Sequence, residues 1–212
     1  MSSQDKKAGV EAKGLVICIS GMAGTGKSTL AKKIAEKYRL KYYSGGDALR
    51  ALAAERGYDS FSNGWWESSE GLEFLEKRKG DPSFDKAVDD KLLEYAAQGN
   101  VLLDSWTMPW LAKGGFKIWL SASVEKQAER ISGRDNMTVE ESLKALREKE
   151  SRTKAIYKKL YGFSLGEDFS PFDLILDTDN LTAAEVFNVL SMVIDNVVLG
   201  ARDGAQKQVP CQ

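Results

Sequence analysis

The chain has 212 residues, 42% of them hydrophobic, with 30 basic residues, 31 acidic residues and no histidine. This size predicts one compact domain with an insertion, and the net charge of -1 argues against nucleic acid or an anionic membrane as a partner. No apolar run approaches the ~20 residues of a membrane span. Cys18 lies in an apolar run and Cys211 lies near the end, which is not a disulfide pattern, so we expect a protein of the reducing cytoplasm. The composition leaves the oligomeric state open.

Short apolar runs with strand character alternate along the chain with segments of helical period. The predicted strands cover residues 15–20, 41–44, 101–104, 116–120 and 173–177. Several are continuously apolar, as strands buried on both faces are, so the alternation predicts a five-stranded parallel sheet covered by helices on both faces. The predicted fold class is α/β, in a single domain over 14–199 with flexible polar extensions at 1–13 and 200–212.

Two helix starts are marked by capping boxes, Thr138 with Glu141 and Thr182 with Glu185. In a capping box each side chain bonds the backbone N–H of the other residue, which defines where the helix begins. By contrast, 57–83 has weak periodicity and many turn residues, so we interpret it as an insertion that caps the sheet.

The strongest motif lies between the first predicted strand and the first predicted helix. The sequence GMAGTGKS matches the phosphate-binding loop pattern GxxxxGK[ST], in which glycines turn backbone N–H groups toward a polyphosphate. In this pattern Lys27 reaches the β- and γ-phosphates and Ser28 binds Mg²⁺. The predicted ATP-binding residues are Gly21, Met22, Ala23, Gly24, Thr25, Gly26, Lys27, Ser28 and Thr29. The strand-loop-helix placement argues against a chance glycine-rich turn.

A glycine pair follows the second predicted strand, in SGGDALR. Asp47 and Arg50 are three residues apart at a predicted helix start and therefore share one face. At the carboxyl end of a parallel sheet this arrangement predicts an acceptor-binding site, which includes Ser44, Gly45, Asp47 and Arg50. The alternative is that Asp47 caps the helix and Arg50 is simply exposed.

Four arginines lie in the helical region of about 130–152. They are Arg130, Arg134, Arg147 and Arg152. Such a group suits a mobile lid that clamps phosphates while negative charge develops on the transferred group, so we predict that all four are catalytic together with Lys27. The alternative is a charged, solvated helical surface.

The apolar run VLLD ends in Asp104 and continues into SWTMPW. An acid at the end of a strand beside a phosphate-binding loop predicts a Mg²⁺ ligand, bound directly or through water, with a strand-end cap as the alternative. Four tryptophans, two of which follow Asp104, either enclose an acceptor ring or pack in a helical cap. These tryptophans are Trp65, Trp66, Trp106 and Trp110.

The chain combines the segments GMAGTGKST, SGGDALR, VLLD, ERISGR and REKESRTKAIYKKLYGF, the last followed by SPFDLILDT. This combination resembles nucleoside monophosphate kinases, most closely the short-lid archaeal type of cytidylate kinase. The resemblance spans about 15–198. It implies a P-loop NTPase fold with a helical acceptor-binding subdomain at about 45–99 and a small lid. It also implies Mg²⁺-dependent transfer of the γ-phosphoryl group of ATP to a small-molecule acceptor, CMP or dCMP.

The resemblance also implies roles for particular residues. It assigns Arg50 to the acceptor phosphate and Arg130 to the base and phosphates of ATP, and it assigns the transferring phosphoryl group to Arg134, Arg147 and Arg152. It places Asp85 and Asp89 beside the acceptor base, where a carboxylate accepts from the cytosine amine, although both are equally expected as solvated helical acids. The missing histidine fits this chemistry, because an acceptor phosphate is already an anionic nucleophile.

The chain departs from the family pattern directly after Asp104. The family has an arginine there that holds the acceptor phosphate, whereas this chain has Trp106 and no Arg or Lys before Lys113. We therefore include Trp106 in the predicted acceptor site and keep two further hypotheses. One is a P-loop kinase that phosphorylates a hydroxyl of a nucleoside or small metabolite, with Asp47 as the base. The other is an ATP-binding regulator that transfers nothing.

Overall fold

The computed structural model describes residues 14–62, 64–81 and 83–200. The expectations for 1–13 and for 201–212, including Cys211, fall outside these residues. Within the described part, no helix is long and apolar enough to cross a membrane.

The five predicted strands form one parallel sheet, which confirms the predicted fold class. They are β1 Val16–Gly21, β2 Lys41–Ser44, β3 Val101–Asp104, β4 Phe116–Ser121 and β5 Leu174–Asp177. Their order across the sheet is β2-β3-β1-β4-β5, and every neighbouring pair is parallel. The carboxyl ends of β2, β3 and β1 therefore lie side by side.

The helices connect these strands and lie on both faces of the sheet. They are α1 Lys27–Tyr38, α2 Gly45–Ala54, α3 Ser69–Gly80, α4 Ser83–Gln98, α5 Met108–Leu111, α6 Val124–Asp135, α7 Val139–Tyr161 and α8 Ala183–Val193, which continues as a wider turn over Ile194–Leu199. Both predicted capping boxes are present, at the starts of α7 and α8.

Successive residues of β1 point into two different cores, as the alternation of a strand requires. Ile17 and Ile19 pack in the core that contains residues of α1 and α8, whereas Cys18 packs in the core that contains residues of α2 and α4. Burial raises the pKa of the Cys18 thiol to about 12, so this thiol stays protonated. The expectation of a buried Cys18 is confirmed.

The segment 57–83 is more helical than its sequence pattern indicates. It contains a short 3-10 turn, Trp65–Glu67, followed by the twelve residues of α3. The buried face of α3 carries Phe74, Leu75 and Arg78. Because a charged residue occupies one of these buried positions and Gly71 interrupts the first turn, the apolar period of α3 is weak in the sequence.

We predict that Gly71→Ala destabilises the protein. A Cβ atom at this position would lie 2.0 Å from the carbonyl oxygen of Trp65, a backbone atom that cannot rotate away. Overpacking of this kind costs about 1–3 kcal/mol in the free energy of unfolding, which urea denaturation measures. Gly80→Ala is the matched control, because it lies on the same helix in open space and should leave stability unchanged or raise it slightly. Equal stability of the two variants would contradict this packing.

Candidate active site

A cavity of about 410 Å³ opens where the carboxyl ends of β1, β2 and β3 meet. Its walls come from the phosphate-binding loop, α2, the 3-10 turn, α3, α4 and α7. In open parallel sheets this edge is where ligands bind. Part of the predicted ATP-binding loop and the predicted acceptor-binding residues of α2 and α4 thus face one shared space.

The phosphate-binding loop has the conformation that its glycines allow. Gly24 has φ +77°, and a Cβ atom there would lie 2.6 Å from the carbonyl oxygen of Gln127 in α6, so only glycine fits. The Thr25 hydroxyl donates to the carbonyl of Met22 at 2.9 Å, which ties the loop to itself. The residues of this loop and its helix that line the cavity are Ala23, Gly24, Lys27, Ser28 and Thr29. The backbone N–H groups at the start of α1 favour an anion here.

Asp104 lies beside this loop, at the end of β3. It is 3% exposed, pairs in register with Ile19 of β1, and accepts a hydrogen bond of 3.0 Å from the Tyr42 hydroxyl. Burial lowers the pKa of Lys27, while the carboxylate of Asp104 acts in the opposite direction. Asp104 and Ser28 both line the cavity, as expected for two ligands of one ion.

The cavity wall includes the phosphate-binding loop at one end and Asp85 and Asp89 of α4 at the other, and the residues after Asp104 contact both ends. The Trp106 indole N–H donates to the carbonyl of Gly21 at 2.6 Å, and Lys27 Nζ lies 5.5 Å from the ring centroid of Trp106. The Thr107 hydroxyl instead donates to Asp89 Oδ1 at 2.5 Å and bonds Ser105 Oγ at 3.0 Å. Trp106 therefore supports the phosphate-binding loop, and the residues on either side of it belong to the other end.

Asp85 and Asp89 lie at that other end, in a buried polar cluster on α4. The Tyr161 hydroxyl donates to Asp89 Oδ2 at 2.5 Å. Burial raises the pKa of Asp89 to about 6, although the hydroxyls of Thr107 and Tyr161 oppose this shift. These aspartates are 2% and 5% exposed, so the alternative of solvated helical acids is wrong.

The cluster contains a cation that sequence reasoning missed. Arg78 of α3 forms a bidentate ion pair with Asp85, and its guanidinium also lies 3.5 Å from the Tyr157 hydroxyl. In the sequence, Arg78 is recognisable as a charged residue at a position of α3 where the helical period predicts an apolar residue.

The glycine pair lies at the end of β2 and the start of α2, and the alternative in which Asp47 caps this helix is wrong. Ser44 is the N-cap of α2, because its side chain accepts from the backbone N–H of Asp47, so Asp47 is not the cap. Asp47, Arg50 and Gly45 line the cavity together with Ser44. Arg50 Nε is buried and has no hydrogen-bond partner among the described residues.

The cations of the lid region differ from those predicted. Arg134 lines the cavity, bonds Asp135 and lies 3.6 Å from Glu67. Beside it is Lys149 of α7, a residue that sequence reasoning missed, whose Nζ donates to Glu67 Oε1 at 2.8 Å. Burial lowers the pKa of Lys149, and Glu67 acts in the opposite direction. Two cations from the lid region thus stand near Lys27.

Arg147 and Arg152 do not line this cavity. Arg147 is exposed, since it lies on the opposite face of α7 from the buried stripe that includes Leu146, Lys149 and Thr153. Arg152 donates instead to the carbonyl of Leu72 at 2.8 Å and to Glu148 at 2.5 Å. The prediction that both residues contact phosphates rested on the number of arginines in this segment. The sequence alone did not show which face of the helix each arginine occupies.

Arg130 lies in a separate shallow groove between α6 and the loop after β5. Its guanidinium donates to the hydroxyl and the carbonyl of Thr178, at 3.0 and 2.7 Å. The groove is bordered by Lys126 and by residues 179–182. This groove adjoins the phosphate-binding loop, since Arg130 also lies 3.5 Å from the carbonyl of Gly24.

The tryptophans divide into two classes. Trp65 is buried and donates to Glu70, and Trp110 stacks on Phe163 at 4.1 Å, so both serve packing. Trp66 and Trp106 line the cavity, with Lys149 Nζ 5.3 Å from the Trp66 ring.

The raised pKa of Asp89 predicts a pH-dependent stability effect. A carboxyl group whose pKa rises on folding contributes stability below its unfolded pKa, near 4, and loses it as the pH rises through about 6. Asp89→Asn removes the cost of the buried charge. We expect its free energy of unfolding, relative to the unmodified protein, to increase by about 2 kcal/mol from about pH 4.5 to about pH 7.5.

Urea denaturation at several pH values measures this difference. Asp90→Asn, at the exposed neighbouring position on α4, is the control and should give a flat difference. A flat difference for Asp89→Asn as well would show that Asp89 titrates normally.

Comparison with known proteins places this geometry in a family. Residues 16–180 match the model of the cytidylate kinase-like family. The cytidylate kinase of Methanocaldococcus jannaschii is 38% identical over 188 residues, covering 86% of this chain and 99% of that protein. The cytidylate kinase of Pyrococcus horikoshii is 35% identical over 195 residues, covering 92% and 95%.

The solved structures agree at the level of the fold. Shikimate kinase from Acinetobacter baumannii aligns with a TM-score of 0.53 at 16% identity, over 87% of this chain and 96% of that one. A likeness at this identity shows the fold alone, whereas the matched family model and the close relatives span most of the chain. The chain belongs to the cytidylate kinase-like family.

Proposed function

We propose that the protein transfers the γ-phosphoryl group of ATP to a nucleoside monophosphate, CMP or dCMP. One observation carries this proposal. A single cavity joins the phosphate-binding loop to a polar end that is lined by Arg50, Arg78, Asp85 and Asp89. A donor and an acceptor bound at the two ends would meet between them, without solvent separating the reacting groups.

The donor end suits a nucleoside triphosphate. The loop N–H groups and Lys27 hold the β- and γ-phosphates, and the groove beside Arg130 holds the base outside the cavity. Arg130 is already held in place by Thr178, so little ordering is needed when a nucleotide binds.

The donor set at this end also fits Mg²⁺. No group of three or more His, Cys, Asp or Glu side chains in the described part of the chain is placed to hold a metal ion. Mg²⁺ at a phosphoryl-transfer site takes only one or two protein ligands, together with phosphate oxygens and water, and Ser28 and Asp104 supply them. The bound ion supplies charge neutralisation for the phosphate oxygens.

The acceptor end suits a phosphate on a pyrimidine nucleoside. Arg50 lines this end, and its buried Nε has no hydrogen-bond partner within the part of the chain that the structure describes, which supports a contact with the acceptor phosphate. The phosphate oxygen of the acceptor is itself the nucleophile, so this chemistry needs no general base. Asp85 and Asp89 can accept from the exocyclic amine of cytosine. The curated relatives named above are cytidylate kinases, which supports the same acceptor.

Lys149 and Arg134 replace the arginine that is missing after Asp104. Both line the cavity near Lys27, and both interact with Glu67, which holds them between the two ends. As the phosphoryl group moves, its oxygens gain a contact with the buried ammonium group of Lys149, and such a contact stabilises a transition state more than it would in water; Arg134, whose side chain is 59% exposed, adds a second positive charge.

A panel of acceptors tests the function. With ATP and Mg²⁺, we expect ADP formation to depend on CMP or dCMP, and Lys27→Ala to abolish it because the β- and γ-phosphates lose their cation. Lys33→Ala, at an exposed position on the same helix, is the control and should leave the rate unchanged.

The other outcomes have definite meanings. Turnover only with an unphosphorylated nucleoside or metabolite would replace the proposal by a hydroxyl kinase with Asp47 as base. ATP binding without turnover on any acceptor would indicate a nucleotide-binding regulator.

We further predict that Lys149→Met lowers kcat by about 10²–10³-fold, the usual effect of removing one preorganised charge contact at the reacting group. KM for the acceptor should change far less, because the contact strengthens during transfer. Lys144→Met, exposed on the same helix, is the matched control. An unchanged kcat in a folded Lys149→Met variant would remove Lys149 from the reaction.

A further inference from the structure

Glu67 places a buried carboxylate in the cavity wall. Its side chain is 1% exposed, and Oε1 accepts a hydrogen bond of 2.8 Å from the ammonium group of Lys149, whose side chain is 9% exposed. The pair joins the acceptor-side insertion to α7, on the lid side of the cavity. A buried ion pair is often no more stabilising than apolar side chains of similar volume, because desolvation of two charges offsets their attraction. Stability alone therefore does not account for this pair, and its place in the cavity wall points to a role in the reaction.

The 3-10 turn that carries Glu67 is held in place by its own neighbours. Trp65, at its start, is 1% exposed, and its indole N–H donates to Glu70 Oε2 at 3.0 Å. Ser68 closes the turn, because its hydroxyl donates to the carbonyl of Trp65 at 2.7 Å and accepts from the backbone N–H of Gly71 at 3.1 Å. The carboxylate of Glu67 is thus a fixed partner for a long lysine side chain, whose ammonium group is ordered before any ligand binds.

Lys149 lies among charges of both signs. The charged groups on α7 and on the elements that face it are Glu67 of the 3-10 turn, Arg134 and Asp135 of α6, Lys27 at the start of α1, Glu150 of α7 itself, and Glu76 and Arg78 of α3. Of these carboxylates, Glu67 is the one that bonds Lys149 in the described part of the chain. Burial lowers the pKa of Lys149, and Glu67 acts in the opposite direction. The positive charges of Lys27 and Arg134 lower this pKa further, so loss of Glu67 would leave a buried ammonium group beside two cations.

We infer that Glu67 is a positioning residue for the phosphoryl transfer, whose carboxylate holds the charged ammonium group of Lys149 in the cavity wall, where the transferred group passes. This inference rests on the proposed function for the reaction, but the ion pair itself is a property of the folded protein. Glu67 does not touch the substrate, because a carboxylate repels phosphate oxygens. It acts only through Lys149, which without it would lose its proton more readily and could then no longer stabilise the charge of the transition state.

The test is the pH dependence of kcat for Glu67→Gln. Glutamine keeps the length and the accepting oxygen of the side chain but removes its negative charge. Between about pH 6.5 and about pH 10, we expect the alkaline fall in kcat to begin about 1–3 pH units lower in this variant than in the unmodified protein. At pH values above the fall, kcat should approach that of Lys149→Met, and below the fall it should be close to that of the unmodified protein. A purely structural role would lower kcat equally at every pH.

Three further variants identify the group that titrates. Adding Lys149→Arg to Glu67→Gln should return the alkaline fall to its original position, because a guanidinium group does not lose its proton in this range. Glu67→Asp keeps the charge but withdraws it by one methylene group, so it should give a smaller shift in the same direction, and it serves as the test if circular dichroism shows that Glu67→Gln does not fold. Glu73→Gln removes a carboxylate of α3 that is 61% exposed, and this control should leave the profile unchanged.

Urea denaturation supplies a measurement that needs no turnover. A lysine whose pKa is lowered on folding destabilises the protein at neutral pH, and this loss disappears as the pH rises toward its unfolded pKa, near 10.4. The free energy of unfolding of Glu67→Gln, relative to the unmodified protein, should therefore be lowest near about pH 7 and rise toward about pH 10. The rise should be largely lost when both proteins also carry Lys149→Arg.

The outcomes separate this inference from the proposed function. An unshifted alkaline fall in the folded Glu67 variant overturns the inference and leaves phosphoryl transfer intact. A shift that persists when Lys149→Arg is added overturns it as well, because another group, such as Lys27, is then the one that titrates. A protein that transfers no phosphoryl group to any acceptor refutes the proposed function. In that case the rise in the urea series supports the Glu67–Lys149 pair as a charge-holding contact, and its absence refutes both.

Discussion

The pairing of β1 with β3 is the constraint on which the site depends. Ile19 stands opposite Asp104, and the backbone N–H of Ser105 continues the ladder by donating to the carbonyl of Ile19 at 3.2 Å. Because both strands run in the same direction, the phosphate-binding loop and the segment after Asp104 leave the sheet side by side. A shift of one residue in this register would turn Asp104 to the other face of the sheet and separate it from Ser28.

The segment after Asp104 connects the two ends of the cavity. Trp106 bonds the loop at Gly21, while Thr107 bonds Asp89 on α4. An arginine at position 106 would contribute charge to the cavity, whereas the tryptophan contributes a hydrogen bond and a rigid wall. Other elements contribute cations to the cavity wall, among them Lys149 on α7 and Arg134 on α6. Both are distant in sequence from position 106.

Helix α7 contacts the other walls of the cavity through charged and polar side chains. One face contacts the 3-10 turn through Lys149 and Glu67, and the next turn contacts α3 through Arg152 and the carbonyl of Leu72. Farther along, Tyr157 lies beside Arg78. These contacts fasten the lid-side helix to the elements that surround the acceptor end, so the two walls of the cavity support each other. The hydrogen bonds also account for burial of charged groups that would otherwise be strongly unfavourable.

The sequence by itself determined the sheet and the donor end. Short, continuously apolar runs that alternate with helical segments are typical of strands buried on both faces, and a GxxxxGK[ST] loop between a strand and a helix needs only local contacts to form, so both were predictable. Asp104 was also predictable, because its position follows from the end of an apolar strand. In each case the information lies within about ten adjacent residues.

Only the tertiary structure decided which charged side chains reach the cavity. Arg147 and Lys149 are two residues apart on one helix, yet the helical rotation exposes the first and buries the second beside Glu67, which is distant in sequence. Arg78 meets Asp85 because α3 and α4 pack together, and the weak apolar period of α3 concealed that face. Charged residues carry no periodic signal of their own, so their partners are set by packing between elements and not by local sequence.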